Sequence, residues 1–357
     1  MTDSTPAQHL RTKFVFIDTE AFRKARFDWT GRTLSKLVEF AKQGHLQILV
    51  TDVTIGEVKS QLREVLAEAA ASMKKHESVL QQVGALAALA SVADGETAVA
   101  ALDAAFEKFL KDTNSINVPL SADITTLLGD YFARRPPFST KKKSEFPDAV
   151  TVASLLAWCA KGHATAYVVS GDPDLKACCS LSGPLFYADS VADIISQATV
   201  SKELHEALEK ALNENDRLSD ELADQIKSME LVCTRGSLSI RGREVRVAGK
   251  IDRVDDIQIL SVNVLDQKDE TFTSEIEIEA GLCIDLSVEV EGGYHGYDDY
   301  EPPSYHTMER TIYQYFYAEV VARFDQKAPE EIEFESIHVS GNSVELRPDQ
   351  IEERWFR

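Results

Sequence analysis

Four carboxylates sit where apolar runs stop. Asp18 follows Phe14–Ile17, Glu57 lies a turn beyond the run Leu46–Thr51, Asp148 stands just behind Pro147, and Asp172 follows Ala166–Ser170. Brought together without partners, four such acids would repel one another and raise their own pKa values. A bound divalent cation removes that cost. An all-oxygen donor set that leaves water on the metal suits Mg²⁺ or Mn²⁺. Such a site lowers the pKa of a bound water and stabilises charge on a phosphodiester. An acid at a strand end also serves as a plain cap, so the ordered set carries the argument rather than any one member.

The elements that must position these acids are short. Lys13–Asp18, Leu46–Thr51, Tyr167–Ser170 and Leu185–Tyr187 read as buried strands. Thr33–Gly44, the stretch carrying Ile55, Val58, Leu62 and Val65, and Val150–Cys159 read as helices. Pro147 suits a first helical turn and Gly44 a C-cap. Strands alternating with helices predict an α/β fold with a parallel sheet, whose strand ends deliver the acids to one edge. From about residue 60 to 140, a segment rich in helix formers reads as a helical insertion. It ends on Pro136-Pro137 and a basic run, Arg134, Arg135, Lys141, Lys142 and Lys143. That run is either a solvated loop or a phosphate clamp beside Asp148. Phe22–Trp29 mixes three bases with three aromatics. It is either a nucleic-acid surface or an amphipathic helix start.

Residues 199–229 read as a helical connector with a leucine stripe, favouring core packing over a dimer seam. Beyond it the period changes. Phe272 to Val290 alternates apolar even positions with odd positions rich in acids, the mark of an antiparallel sheet with one wet face. Gly281 is expected to mark a bulge or turn there. The boundaries expected are 12–198, 199–229 and a β-rich accessory domain at 230–357.

The chain has 357 residues and a net charge of −21. Residues 251–357 hold 26 acids against 8 bases, so that part repels polyanions, while the first 250 residues are nearly neutral. The five cysteines lack metal-site spacing. No apolar run reaches the ~20 residues of a membrane span, and the first residues lack an apolar signal core, so a cytoplasmic location is expected.

FVFIDTE, TDVTIGEVKS, FPDAV and VVSGDPDL resemble the four motifs of the PIN nuclease domain. More narrowly, residues 12–195 are similar to bacterial PIN-like proteins with large helical insertions. The resemblance implies a three-layer α/β/α sandwich and a metal-dependent nuclease, with RNA as the usual substrate. It further implies Mg²⁺ or Mn²⁺ on Asp18, Glu57, Asp148 and Asp172. Asp174 would be a second, less constant acid, and Ser170 a hydroxyl that positions the last loop. The implied reaction is attack of a metal-activated water on a phosphodiester, leaving a 5′-phosphate. Lys141, Lys142, Lys143, Arg134, Arg135 and Lys59 would contact phosphates.

Two alternatives stay open: a catalytically silent scaffold that keeps the acids for shape, and a small-molecule phosphatase built on FIDTE. The phosphatase motif wants a second aspartate where this chain has Glu20. The 230–357 region is expected to bind a protein partner, restrain the nuclease or mediate self-association. The loop Gly292–His306 mixes His295, Asp298, Asp299 and His306 with four tyrosines, and reads as a mobile loop before a metal or base site.

Overall fold

The computed structural model describes residues 10–75, 95–138, 145–233, 239–240, 243–290, 293–294, 300–301, 303–325, 327–328 and 331–346. These divide into two compact units, Met1–Thr199 and Val200–Arg357. Among the described residues no helix is long and apolar enough to cross a membrane.

In the first unit, β1 (Phe14–Ile17), β2 (Gln47–Val50), β3 (Ile116–Asn117), β4 (Ala166–Val169) and β5 (Leu185–Ala188) form a parallel sheet in the order β3-β2-β1-β4-β5. The inner strands are short apolar runs because the sheet is covered on both faces. Val15, Phe16, Ile17, Ile48, Leu49, Val168 and Val169 are all buried. Helices α1 (Thr19–Lys24), α2 (Arg32–Lys42), α3 (Asp52–Lys75), α4 (Gly95–Asp112), α5 (Ile124–Ala133), α6 (Phe146–Gly162), α7 (Pro173–Leu181) and α8 (Val191–Thr199) flank it. The chain builds outward from β1 to β3, then returns to place β4 on the other side of β1. The order therefore reverses between β1 and β4, where such sheets gather functional groups. The Asp18 N–H donates to the Val169 carbonyl at 3.0 Å and ties the two strand ends together.

The aromatics of Phe22–Trp29 are core. Phe22 and Phe27 are buried, and Trp29 stacks on Phe106 of α4 at 5.2 Å. This corrects the nucleic-acid reading of that stretch: its rings anchor the helical insertion against α1.

In the second unit the span 199–229 is two helices, α9 (Lys202–Asn213) and α10 (Asp216–Lys227). The break falls at Asn215, whose side chain caps α10 by accepting from the Leu218 N–H. Leu208, Leu212, Leu218, Leu222 and Ile226 pack with Ile276, Ile278, Leu282 and Phe316 in one core. The helices thus form the second layer over a long antiparallel sheet. That sheet has the order β13-β12-β9-β8-β7, from β7 (Ser239–Ile240), β8 (Arg243–Lys268), β9 (Thr271–Val290), β12 (Ser304–Arg323) and β13 (Glu333–Val339). Strands β6 (Glu230–Cys233) and β14 (Ser343–Leu346) pair in parallel, and β10 (Gly293–Tyr294) pairs with β11 (Tyr300–Glu301). His295, Asp298 and Asp299 lie outside the described residues.

The expected alternation holds along β9: Phe272, Ile276, Ile278, Ala280, Leu282, Ile284, Leu286 and Val288 face the core. The irregularity expected at Gly281 is carried by its partner strand, beyond the Asp255–Gly281 pair. The register shifts lie in β8, including one between Asp255 and Gln258 beside it. Gly281 has another use, because a Cβ there would press on the Asp255 carbonyl at 3.2 Å. Gly249 is tighter. A Cβ there would stand 2.7 Å from both the Asp285 carbonyl oxygen and Leu286 Cδ2. Main chain cannot swing aside as a flexible side-chain tip can, so Gly249→Ala is expected to cost about 1–2 kcal/mol. Hydrogen exchange should show the loss as faster exchange in β8 and β9 with β1 and β4 unchanged.

Candidate metal centre

Asp18 is the N-cap residue of α1, directly after β1. Glu57 is on α3, in the second turn after β2. Asp148 is in the first turn of α6, with Pro147 ahead of it. Asp172 is the N-cap of α7 and accepts from the Asp174 N–H at 2.7 Å. Four separate elements therefore bring one acid each.

Ser170 joins two of them. Its buried hydroxyl donates to Asp18 Oδ2 at 2.8 Å, and its oxygen accepts from the Asp172 N–H at 3.0 Å. The Tyr187 hydroxyl donates to the Ser170 carbonyl and fixes the turn from the β5 side. Thr19 was missed by the sequence reading. Its hydroxyl donates to Glu57 Oε2 at 2.9 Å, linking α1 to α3. Its only signal was its place directly after Asp18. Ser170→Ala would remove the donor to Asp18 and the acceptor of the Asp172 N–H. With both groups partly buried, the expected loss is about 1–2 kcal/mol, read as a lower urea midpoint.

Burial first, and neighbouring carboxylates after it, raise Asp18, Glu57 and Asp148. Burial raises Asp18, as does Asp172, against the lowering hydrogen bond from Ser170 and the amides of Thr19 and Glu20. Burial raises Glu57, the Thr19 hydroxyl lowers it and Asp18 raises it. Asp148 is pushed up to about 7, first by burial and then by Asp18, Glu57, Asp172 and Glu145. A helix N-terminus alone would favour the anion by ~0.3–1 kcal/mol. At Asp148 burial and four carboxylates override it. Glu145, almost wholly buried just before α6, is the second residue that sequence reasoning missed.

The donor set is oxygen-only and suits a hard divalent ion. Among the described residues no lysine or arginine forms an ion pair with Asp18, Glu57 or Asp148. The residues fit such an ion in the chemistry of their donors, but no three acids, histidines or cysteines among the described residues form a cluster that could hold one.

Residues 15–174 match the family model described as PIN domain. The N-terminal unit is a PIN-like domain. PIN domains are typically nucleases that act on nucleic acid. Comparison with curated proteins and with solved structures returned no match.

Other expected site residues of the PIN-like domain are spread more widely. Asp174 lies in the first turn of α7, beside Asp172. Lys59 pairs with Glu107 of α4 at 2.9 Å, and Arg135 pairs with Asp130 at 2.8 Å. Both pairs lie at the surface of the helical insertion. Arg134 adopts a left-handed conformation at the C-cap of α5. Lys141, Lys142 and Lys143 lie outside the described residues. Glu20 pairs with Arg23 at 2.6 Å. Cys178 and Cys179 are held by burial up at about 12 and about 11, so neither thiol is a nucleophile at neutral pH.

Proposed function

We propose that the PIN-like domain is a metal-dependent ribonuclease that hydrolyses phosphodiester bonds and leaves a 5′-phosphate. The observation that supports this most is the PIN domain match over residues 15–174, together with Asp18, Glu57, Asp148 and Asp172 at the strand ends and helix starts of its sheet. Asp18, Glu57, Asp148 and Asp172, with Asp174 behind them, would hold Mg²⁺ or Mn²⁺. When bound, the ion supplies Lewis acidity and a water of lowered pKa.

The chain's own residues do the positioning. Ser170 orients Asp18 and Thr19 orients Glu57, so each carboxylate presents a fixed oxygen. Asp148 exchanges its proton near neutral pH and is the acid most readily switched between a neutral and a charged donor. The second unit, strongly acidic on its wet face, is proposed to bind a protein partner or a second copy rather than nucleic acid.

The direct test is cleavage of single-stranded RNA with Mn²⁺, with chelator, and with Asp18→Asn and Asp148→Asn. Equal activity in all would end the nuclease reading. An inactive wild type that Mn²⁺ still stabilises would replace it with a catalytically silent scaffold or partner-gated protein.

A further inference from the structure

One of the four acids, Glu57, also lines an apolar cleft that the proposed chemistry does not use. The cleft is about 460 Å³ and is lined by Val53, Gly56 and Glu57 of α3 and by Phe146, Pro147 and Val150 of α6. Glu57 belongs both to this cleft and to the acid group, so whatever enters the cleft lies beside Glu57.

Three features point to what enters. The Phe146 ring is 37% exposed, yet it is braced from behind by Tyr131 at 5.1 Å and Phe138 at 5.0 Å. Tyr131 in turn touches Phe132, which is 78% exposed, so an aromatic path leads outward from the cleft. Gly56 sits inside helix α3, where glycine costs roughly 1 kcal/mol against alanine. A Cβ there would meet nothing within 4 Å. Packing does not require that glycine, and a side chain there would project into the cleft. The charged groups lining the cleft, Asp52 and Glu57, are anionic. They disfavour a phosphate inside the cleft itself and admit a flat, neutral ring.

We propose that this cleft is a base-binding subsite, in which one unstacked nucleobase of a single-stranded substrate lies on Phe146 next to the cleaved linkage. The inference rests on the nuclease reading and adds a substrate requirement: the strand must be single and its base present. Stacking of this kind is sequence-tolerant and contributes about tenfold or more in affinity per base.

The test uses a fluorescein-labelled single-stranded oligoribonucleotide bound to the full chain carrying Asp18→Asn, with one abasic site moved along the strand. The expected result is about a tenfold rise in Kd at one position only. Phe146→Ala and Gly56→Leu should each raise Kd for the intact strand about tenfold and erase that positional penalty. Phe146→Ala also loosens Tyr131 and Phe138. Gly56→Leu touches no packed group and should raise Tm slightly, which separates a blocked cleft from a damaged fold. An abasic scan with no positional penalty, in a chain whose wild type cleaves RNA, overturns the subsite and leaves the nuclease reading standing. No oligonucleotide binding and no cleavage overturns both. A penalty unchanged by Gly56→Leu, with that variant turning a dimer into a monomer in sedimentation, assigns the cleft to self-association instead.

Discussion

Asp148→Asn is expected to lower RNA cleavage by roughly 10³-fold, about 4 kcal/mol of transition-state stabilisation, with little change in fold. Asn keeps the size and one carbonyl oxygen but cannot carry the charge a divalent ion needs. Asp148 accepts no hydrogen bond on which the helix start depends. The first turn of α6 is set by Pro147 and by the Ala149 N–H donating to the Glu145 carbonyl. Asp18→Asn should lose a similar factor, and its carbonyl can still accept from Ser170. The same activity in Asp148→Asn as in wild type, on protein shown folded by circular dichroism, would sink the assignment. Lys59→Ala is the useful contrast. Lys59 is engaged with Glu107, so this change is expected to act on the insertion and to alter cleavage only a few-fold.

Much of this arrangement was legible because it is local. An apolar run ended by an acid is a four-residue pattern, and β1 with Asp18 and β4 with Asp172 are read from it directly. The alternation in β9 is equally plain, since one buried and one wet face impose period two along the strand. The misread parts depend on partners far away in the chain. Phe22, Phe27 and Trp29 look like a basic-aromatic surface until Phe106 and Phe109, some 80 residues later, close over them. The lengths of β8 and β12 escaped notice because their polar stretches pair with β9 and need no apolar run of their own. The pairing of Thr19 with Glu57 had no signature beyond a hydroxyl beside an acid.

The second large effect is a stability that depends on both pH and metal. Asp148 titrates near 7 in the folded chain and near 4 in an unfolded one. Below about pH 4 both states hold the proton, and the group costs nothing. Between pH 4 and 7 the unfolded state releases its proton while the folded state keeps it, so the metal-free protein loses stability as pH rises. Above 7 the penalty is constant. At ~1.4 kcal/mol per tenfold change, discounted for the water that reaches this half-buried group, it amounts to about 1–2 kcal/mol. Asp18 and Glu57 are raised as well and act with the same sign. A divalent ion acts in the opposite direction, since it binds the anionic form that repulsion disfavours. At free Mn²⁺ a hundredfold above its Kd, the gain is ~2.7 kcal/mol. It should be largest at pH 8, where no proton need be displaced, and small at pH 5. Asp148→Asn should therefore be more stable than wild type at pH 8 without metal, and less stable than wild type with it. Urea melts at pH 5 and pH 8, with Mn²⁺ and with chelator, measure all four corners. Metal stabilisation that is the same at both pH values, or equal in wild type and Asp148→Asn, would place the ion somewhere other than among these acids.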